Sequence, residues 1–334
     1  MAIKYLDAKR IRALNSDTLP TNIPTNTIAE LTDIYKYRWF DGTDWNPVFI
    51  IRGVFCGGWI HGGSATDIMD YIAIDTTGNA IDFGDLTVAR QDVAGCSDLS
   101  RGVIAGGTNS YVNTMDYITI STTGDATDFG DLTVGRNALA GCADSTRGVF
   151  GGGSDGNYSN IIDYITIQST GNAVDFGDLT VARSGVGASA DATRGVFGSG
   201  NGSGNSFLNV IDYITILSTG NATDFGDLTS TRKDTTGLAS STRGCFAGGY
   251  GGSYTNVIDY ITIQTTGNAT DFGDLLLARR KMGTASNLTR GVWSSGESAS
   301  NTNAYEYITI ATTGNCTDFG DGTAVKYGVA GVSG

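Results

Sequence analysis

Arg147-Gly148-Val149-Phe150-Gly151-Gly152-Gly153, then Asp163-Tyr164-Ile165-Thr166-Ile167, Thr170-Gly171-Asn172, Asp175-Phe176-Gly177-Asp178-Leu179 and Arg183 form the stretch whose reading decides the fold. Near-copies begin at Arg52, Arg101, Arg194, Arg243 and Arg290, a period of 46 to 49 residues. A repeat of that length, filled with short strand-like runs and glycine-rich breaks, predicts a propeller blade of four short strands. The expected fold is all-β, a six-bladed propeller over residues 51–334 preceded by a small extension, 1–50. Residues that recur once per unit are read first as scaffold.

Within the unit Asn137–Arg183 the pattern predicts strands over 138–143, 147–150, 161–167 and 173–179. A tight turn falls at Asp144-Ser145-Thr146 and a hairpin turn at Ser169-Thr170-Gly171-Asn172. In Tyr164-Ile165-Thr166-Ile167 the tyrosine faces one side and both isoleucines the other. Apolar groups on both faces suit a sheet sandwiched between two others. Glycines are expected where strands crowd an axis.

The order double glycine, tyrosine, aromatic, arginine resembles the kelch repeat. Gly106-Gly107, Tyr117, Phe129 and Arg136 carry it in one unit; Gly152-Gly153, Tyr164, Phe176 and Arg183 carry it in the next. Kelch repeats place tryptophan where these units have Phe83 and its equivalents. The double glycine also changes to Gly198-Ser199-Gly200 and Ser294-Ser295-Gly296. The tail Gly328-Val329-Ala330-Gly331-Val332-Ser333 matches Asp92-Val93-Ala94-Gly95-Cys96-Ser97, a unit's first strand, which the unit starting at Arg52 lacks. The C-terminal strand is therefore expected to complete the first blade and close the ring, leaving few free edges.

Composition changes near residue 50: all three prolines precede Arg52, and of the 49 glycines only Gly42 does. Residues 34–45 read as a hairpin turning at Asp41-Gly42. With two strands and a short segment, the first fifty residues look too small for a core of their own and are expected to dock. The stretch from Thr32-Asp33 through Asp41-Gly42-Thr43-Asp44-Trp45 resembles a short β-module of tailed-virus virion proteins. That resemblance implies attachment to other virion proteins through residues 1–50, with Tyr35, Tyr37, Trp39 and Trp45 as contact residues. It also implies a virion location and a homo-oligomeric assembly.

A net charge of −13 and the absence of a basic cluster speak against nucleic acid. No apolar run reaches signal-peptide or membrane-span length, so neither secretion nor membrane insertion is expected. The positions equivalent to Cys96 and Cys142 hold Ser189, Leu238, Ala285 and Val332, which marks a packing site rather than a disulfide or metal ligand. His61 is the single histidine, which closes off multi-histidine metal sites. Asp-Phe-Gly occurs in every unit without the other kinase elements and reads as structure. Asp82 and Asp85, three apart on a strand, point to opposite faces, which argues against a shared calcium ion unless a bulge intervenes. These aspartates, and Asp131, are expected to cap turns or pair with the repeated arginines. Glu297 and Glu306, the only glutamates after residue 50, show no evident partner in the sequence. No enzyme activity, cofactor or metal is expected.

The turn between third and fourth strands is nearly constant, whereas the loop between second and third strands varies in length and chemistry. The loops supply Trp59, His61, Tyr111, Tyr158, Phe207, Tyr250, Tyr254 and Tyr305 among Gly, Ser and Asn, a mixture suited to recognition. Alternating strand direction places these loops on the same end as the blade-to-blade connections. The sequence thus points to a non-enzymatic virion adhesion or decoration module, tail fibre or capsid-surface, meeting a host glycan or protein. The competing reading is a cellular or extracellular kelch-type adaptor.

Overall fold

The computed structural model describes residues 51–108, 111–300 and 302–334, together with the backbone of five strands between residues 4 and 48. Contacts divide the chain into Met1–Ile50 and Ile51–Gly334. In the first unit, Lys4–Asp7, Arg10–Ala13, Ile28–Leu31, Lys36–Phe40 and Trp45–Val48 form one sheet in chain order. The sequence reading counted two of these strands. The others are four residues long, and one junction, Arg10–Ala13 with Ile28–Leu31, is parallel. Parallel pairing over a long connection leaves no local turn signature to read. Tyr35, the turn at Asp41-Gly42 and the side chains of Tyr37, Trp39 and Trp45 lie outside the described residues.

The second unit is a ring of six four-stranded antiparallel sheets. Blade 3 is typical: its inner strand is Ala140–Ala143, followed outward by Arg147–Gly151, Ile161–Thr166 and Val174–Asp178. These bounds fall within two residues of the expected ones. In blade 1 the inner strand is Ala330–Ser333, paired antiparallel with Arg52–Cys56 in the register Ala330↔Cys56 to Ser333↔Gly53. Lys326–Tyr327 adds a second pairing with Trp59–Ile60. Neighbouring inner strands contact one another all the way round the axis.

Each core lies between two blades rather than within one. Between blades 2 and 3, for example, Val103, Met115 and Phe129 meet Phe150, Ile165 and Ile167, all at most 3 % exposed. Both faces of every sheet are thereby dry, as the apolar residues on both faces require.

The repeated motif has a specific part in this. In every blade the register slips between the third and outer strands, as between Met115↔Gly130 and Asp116↔Asp128. The bulge skips Phe129 and turns its ring into the core, edge-on to Tyr117 with centroids 6.2 Å apart. Gly130 follows at φ 137°, and a Cβ there would collide with the Gly171 carbonyl of the next blade. The bulge also removes the parity argument against a shared ion at Asp82 and Asp85. Among the described residues, no three His, Cys, Asp or Glu side chains come together as metal ligands.

Three sets of polar contacts link each blade to the next and run unbroken across the closure. The first is a buried ion pair: Arg90–Asp116, Arg136–Asp163, Arg183–Asp212, Arg232–Asp259, Arg279–Glu306 and Lys326–Asp70. The carboxylate therefore comes from the third strand, not from Asp131 or its equivalents as expected. Asp131 instead offers its backbone N–H to Asn172 Oδ1 and its carbonyl to Ala173. Glu306, read as unpartnered, belongs to this set.

In the second set, Arg101 and its five equivalents stack on their own blade's tyrosine, 4.4 Å from the Tyr117 centroid in this case. Each reaches one carbonyl of the next blade, as Arg101 reaches Ile167. They bind a ring and a carbonyl, not the carboxylate that was expected. In the third set, the turn before each outer strand hydrogen-bonds the preceding outer strand, as Gly171 N–H does to the Phe129 carbonyl at 2.8 Å. Across the closure Gly78 N–H donates to Phe319 in the same way.

Candidate functional site

Loops between second and third strands, and the blade-to-blade connections, emerge together at one end of the ring. The opposite end carries the two kinds of tight turn, Gly334, and Ile51, where the chain enters the propeller.

The axis at the loop end is closed by a ring that the sequence reading did not find. Asp92, Ala138, Gly185, Asp234, Lys281 and Gly328, one from each connection, all have φ between 50° and 68°. Each N–H donates to the carbonyl of the preceding one, from Asp92 to Gly328 round to Gly328 to Lys281, at 2.8–3.1 Å. Four of the six are not glycine, so backbone strain is held here by the closed hydrogen-bond circuit. Below it run Val93, Leu139, Val186, Thr235, Met282 and Val329, lining the axial cavity.

Around this iris stands a second circle of paired positions: Gln91/Thr108, Asn137/Ser154, Ser184/Asn201, Lys233/Tyr250, Arg280/Glu297 and Tyr327/Trp59. The bridged backbone is the same in each blade, yet each position holds six different residues. A uniform frame with varied side chains is the property that distinguishes this end. The signal was present in the sequence: aligned on the unit-ending Arg90, Arg136, Arg183, Arg232, Arg279 and Lys326, the next residue is never repeated.

Of the predicted residues, Trp59 and Tyr250 belong to this second circle, His61, Tyr111, Tyr158, Phe207 and Tyr254 lie elsewhere in the same loops, and Tyr305 is the exception. Tyr305 is 1 % exposed and packs edge-on against Phe55, centroids 4.8 Å apart. It is the positional equivalent of Ile258 and Met115 on the third strand, a core residue rather than a ligand contact. The others tie each loop to its neighbour. Tyr111 is exposed and lies beside Gly156 of blade 3. The Tyr158 hydroxyl is 2.6 Å from Asn205 Oδ1 in blade 4. Phe207 meets Tyr250 of blade 5 at 5.9 Å, and Tyr254 donates to Glu297 of blade 6 at 2.9 Å. Trp59 is half-buried in its hairpin, and His61 is exposed with its backbone N–H on the Val325 carbonyl.

Charge is concentrated over blades 5 and 6. Arg280 donates to both oxygens of Glu297 and to Asp234 at 2.8–3.1 Å, and its guanidinium lies 5.2 Å from the Tyr250 centroid. Burial works against the Glu297 charge, but the Arg280 hydrogen bonds and charge outweigh it and hold the carboxyl below the usual glutamate range. Burial likewise opposes the Arg280 charge and is overcome by Glu297 and Asp234, so its pKa rises. Lys281 reaches Asp92 at 2.9 Å across the iris. Glu297, like Glu306, is thus fully partnered, contrary to the sequence reading.

No protein family and no curated protein matches the chain.

Proposed function

We propose that this chain is a non-enzymatic virion structural protein whose propeller is an exposed adhesion or decoration module, held to the particle by residues 1–50. The observation that carries this reading is the division between the two ends. The chain enters the ring at Ile51 on the end of constant turns, while positions with six different side chains gather at the other. With the propeller's first residue at the constant end, the varied end is the one left for recognition. The N-terminal resemblance to virion β-modules supplies the particle.

The kelch-type reading of the blades belongs to the same proposal. Its support is local: the glycine pairs Gly57-Gly58, Gly106-Gly107, Gly152-Gly153 and Gly248-Gly249 all have φ between 64° and 118° where the second strand ends. Non-enzymatic character is supported by Asp234 and Glu297, the mouth carboxylates of blades 5 and 6, both spent on Arg280. A glycosidase needs one carboxyl acting as acid and another as base or nucleophile.

Deleting residues 1–50 tests the reading. Incorporation into particles should vanish while residues 51–334 still fold and bind cells. Undiminished incorporation would overturn attachment through residues 1–50, and an intact chain that enters no particle yet keeps its ligand binding after the deletion would favour a kelch-type adaptor acting through its loops.

A further inference from the structure

We propose that the aromatic sector over blades 4 to 6 and 1 is a subsite for an uncharged, polyhydroxylated ring, that is, a neutral saccharide; this rests on the adhesion reading above. Phe207, Tyr250, Tyr254, Tyr327 and Trp59 are all half-buried, leaving ring surface open. They form two groups on either side of the Arg280–Glu297 pair: Phe207 touches Tyr250 and Tyr250 touches Tyr254 at 5.6 Å, while Tyr327 pairs with Trp59 at the next blade connection. The facing half of the mouth holds Thr108, Asn137, Ser154, Ser184 and Asn201, small hydroxyl and amide groups without charge. Sugar rings present C–H faces that stack on aromatic rings and hydroxyls that hydrogen-bond to amides and hydroxyls. Both chemistries are supplied side by side.

Charge decides between neutral and acidic sugars. Among the described residues, every Lys and Arg of the propeller except Lys233 is in an ion pair or over an aromatic ring. Arg280, the cation at the centre of the sector, spends all three donor nitrogens on Glu297 and Asp234. A carboxylated sugar therefore meets no uncommitted guanidinium, only the ammonium of Lys233 beside Tyr250, in a molecule of net charge −13. A cationic ligand meets carboxylates whose oxygens are already engaged by Arg280. The same saturation fixes the platform, since Arg280 holds Tyr250 and Tyr254 from one side.

The experiment uses the full chain against a panel of uncharged oligosaccharides ending in hexose or N-acetylhexosamine, and the same panel capped with sialic acid. Expected are binding to members of the neutral panel that hardly changes between low and high salt, and weaker binding once capped. Tyr250→Ala should weaken it about tenfold or more. Ser253→Trp, at an exposed loop tip, should block it with an unchanged melting temperature, and Gln168→Ala at the other end should leave it intact. Preference for the capped panel, or adhesion to host cells with no neutral oligosaccharide bound, overturns the proposal while leaving the adhesion reading in place. Loss of both cell adhesion and particle incorporation overturns the reading itself.

Discussion

Gly195 has no side chain because Cys142 of the preceding blade fills the space where one would go. A Cβ there would stand 2.8 Å from the Cys142 sulfur, and the pairing recurs at every junction, ending with Val332 against Gly102. The thiol is inert as well as buried: desolvation pushes the Cys142 pKa up to about 12. Gly195→Val should therefore destabilise by about 1–3 kcal/mol, and Cys142→Ala in the same chain should restore part of the loss in urea titrations. Removing one partner of a buried ion pair should be worse. Asp163→Ala strands Arg136, which is fully buried, and should cost about 3–5 kcal/mol in the same assay. The sequence showed that position 142 is a packing site but not that glycine is its partner, because Cys142 and Gly195 belong to different units. The arginine partners were misassigned for a related reason. Every unit offers several aspartates, and the one that pairs, Asp163, is distinguished only by its burial on the third strand of the blade that follows Arg136. Acid should act through a small set of side chains. Burial opposes ionisation of Asp98 and Asp191, but Gln168, Gln264 and backbone N–H groups overcome it, so their folded pKa values lie below the ordinary aspartate value. With Glu297, these groups contribute stability that is complete above about pH 5 and lost as pH falls through the folded pKa. Thermal melts should be flat near neutrality and fall steeply below that pH, and Gln168→Ala should shallow the fall.

At the scale of elements, two devices protect strand edges that would otherwise invite aggregation. Each outer strand is covered by the turn of the following blade, and the inner strand of blade 1 is supplied by the chain's far end. Truncation after Ala324 removes Ala330–Ser333 and, with it, Lys326, the partner of Asp70. Residues 51–56 would then present a bare edge. Size-exclusion chromatography should show dimers or aggregates in place of a cooperative monomer. The tail's match to a unit's first strand made this closure legible from the sequence. The iris was not legible, since a left-handed residue is announced only at Gly185 and Gly328, while Ala138 gives no such sign. Ala138 sits at φ 50° with its N–H on Asp92. Ala138→Gly should raise stability by about 1 kcal/mol by relieving that strain, measured by chemical denaturation.

At the scale of the molecule, the same repetition that fixes the scaffold makes its exceptions informative. Blade-to-blade cores, ion pairs and turn contacts differ little around the ring, so the ring itself offers no preferred binding direction. Direction comes from the circle of six different residue pairs at the loop end and from the chain's arrival at Ile51 on the other. Aromatic loop residues were legible because they stand out from Gly, Ser and Asn. Their engagement with neighbouring loops, and the exclusion of Tyr305, depended on strand register that variable loop length conceals. The most direct test of this two-ended design is a cryo-electron microscopy map of the intact particle carrying the chain. The account predicts the end bearing Ile51 and Gly334 against the particle, with the loops at 59–65, 203–206 and 250–254 in solvent. Those loops buried against the particle, with the constant turns outermost, would contradict it.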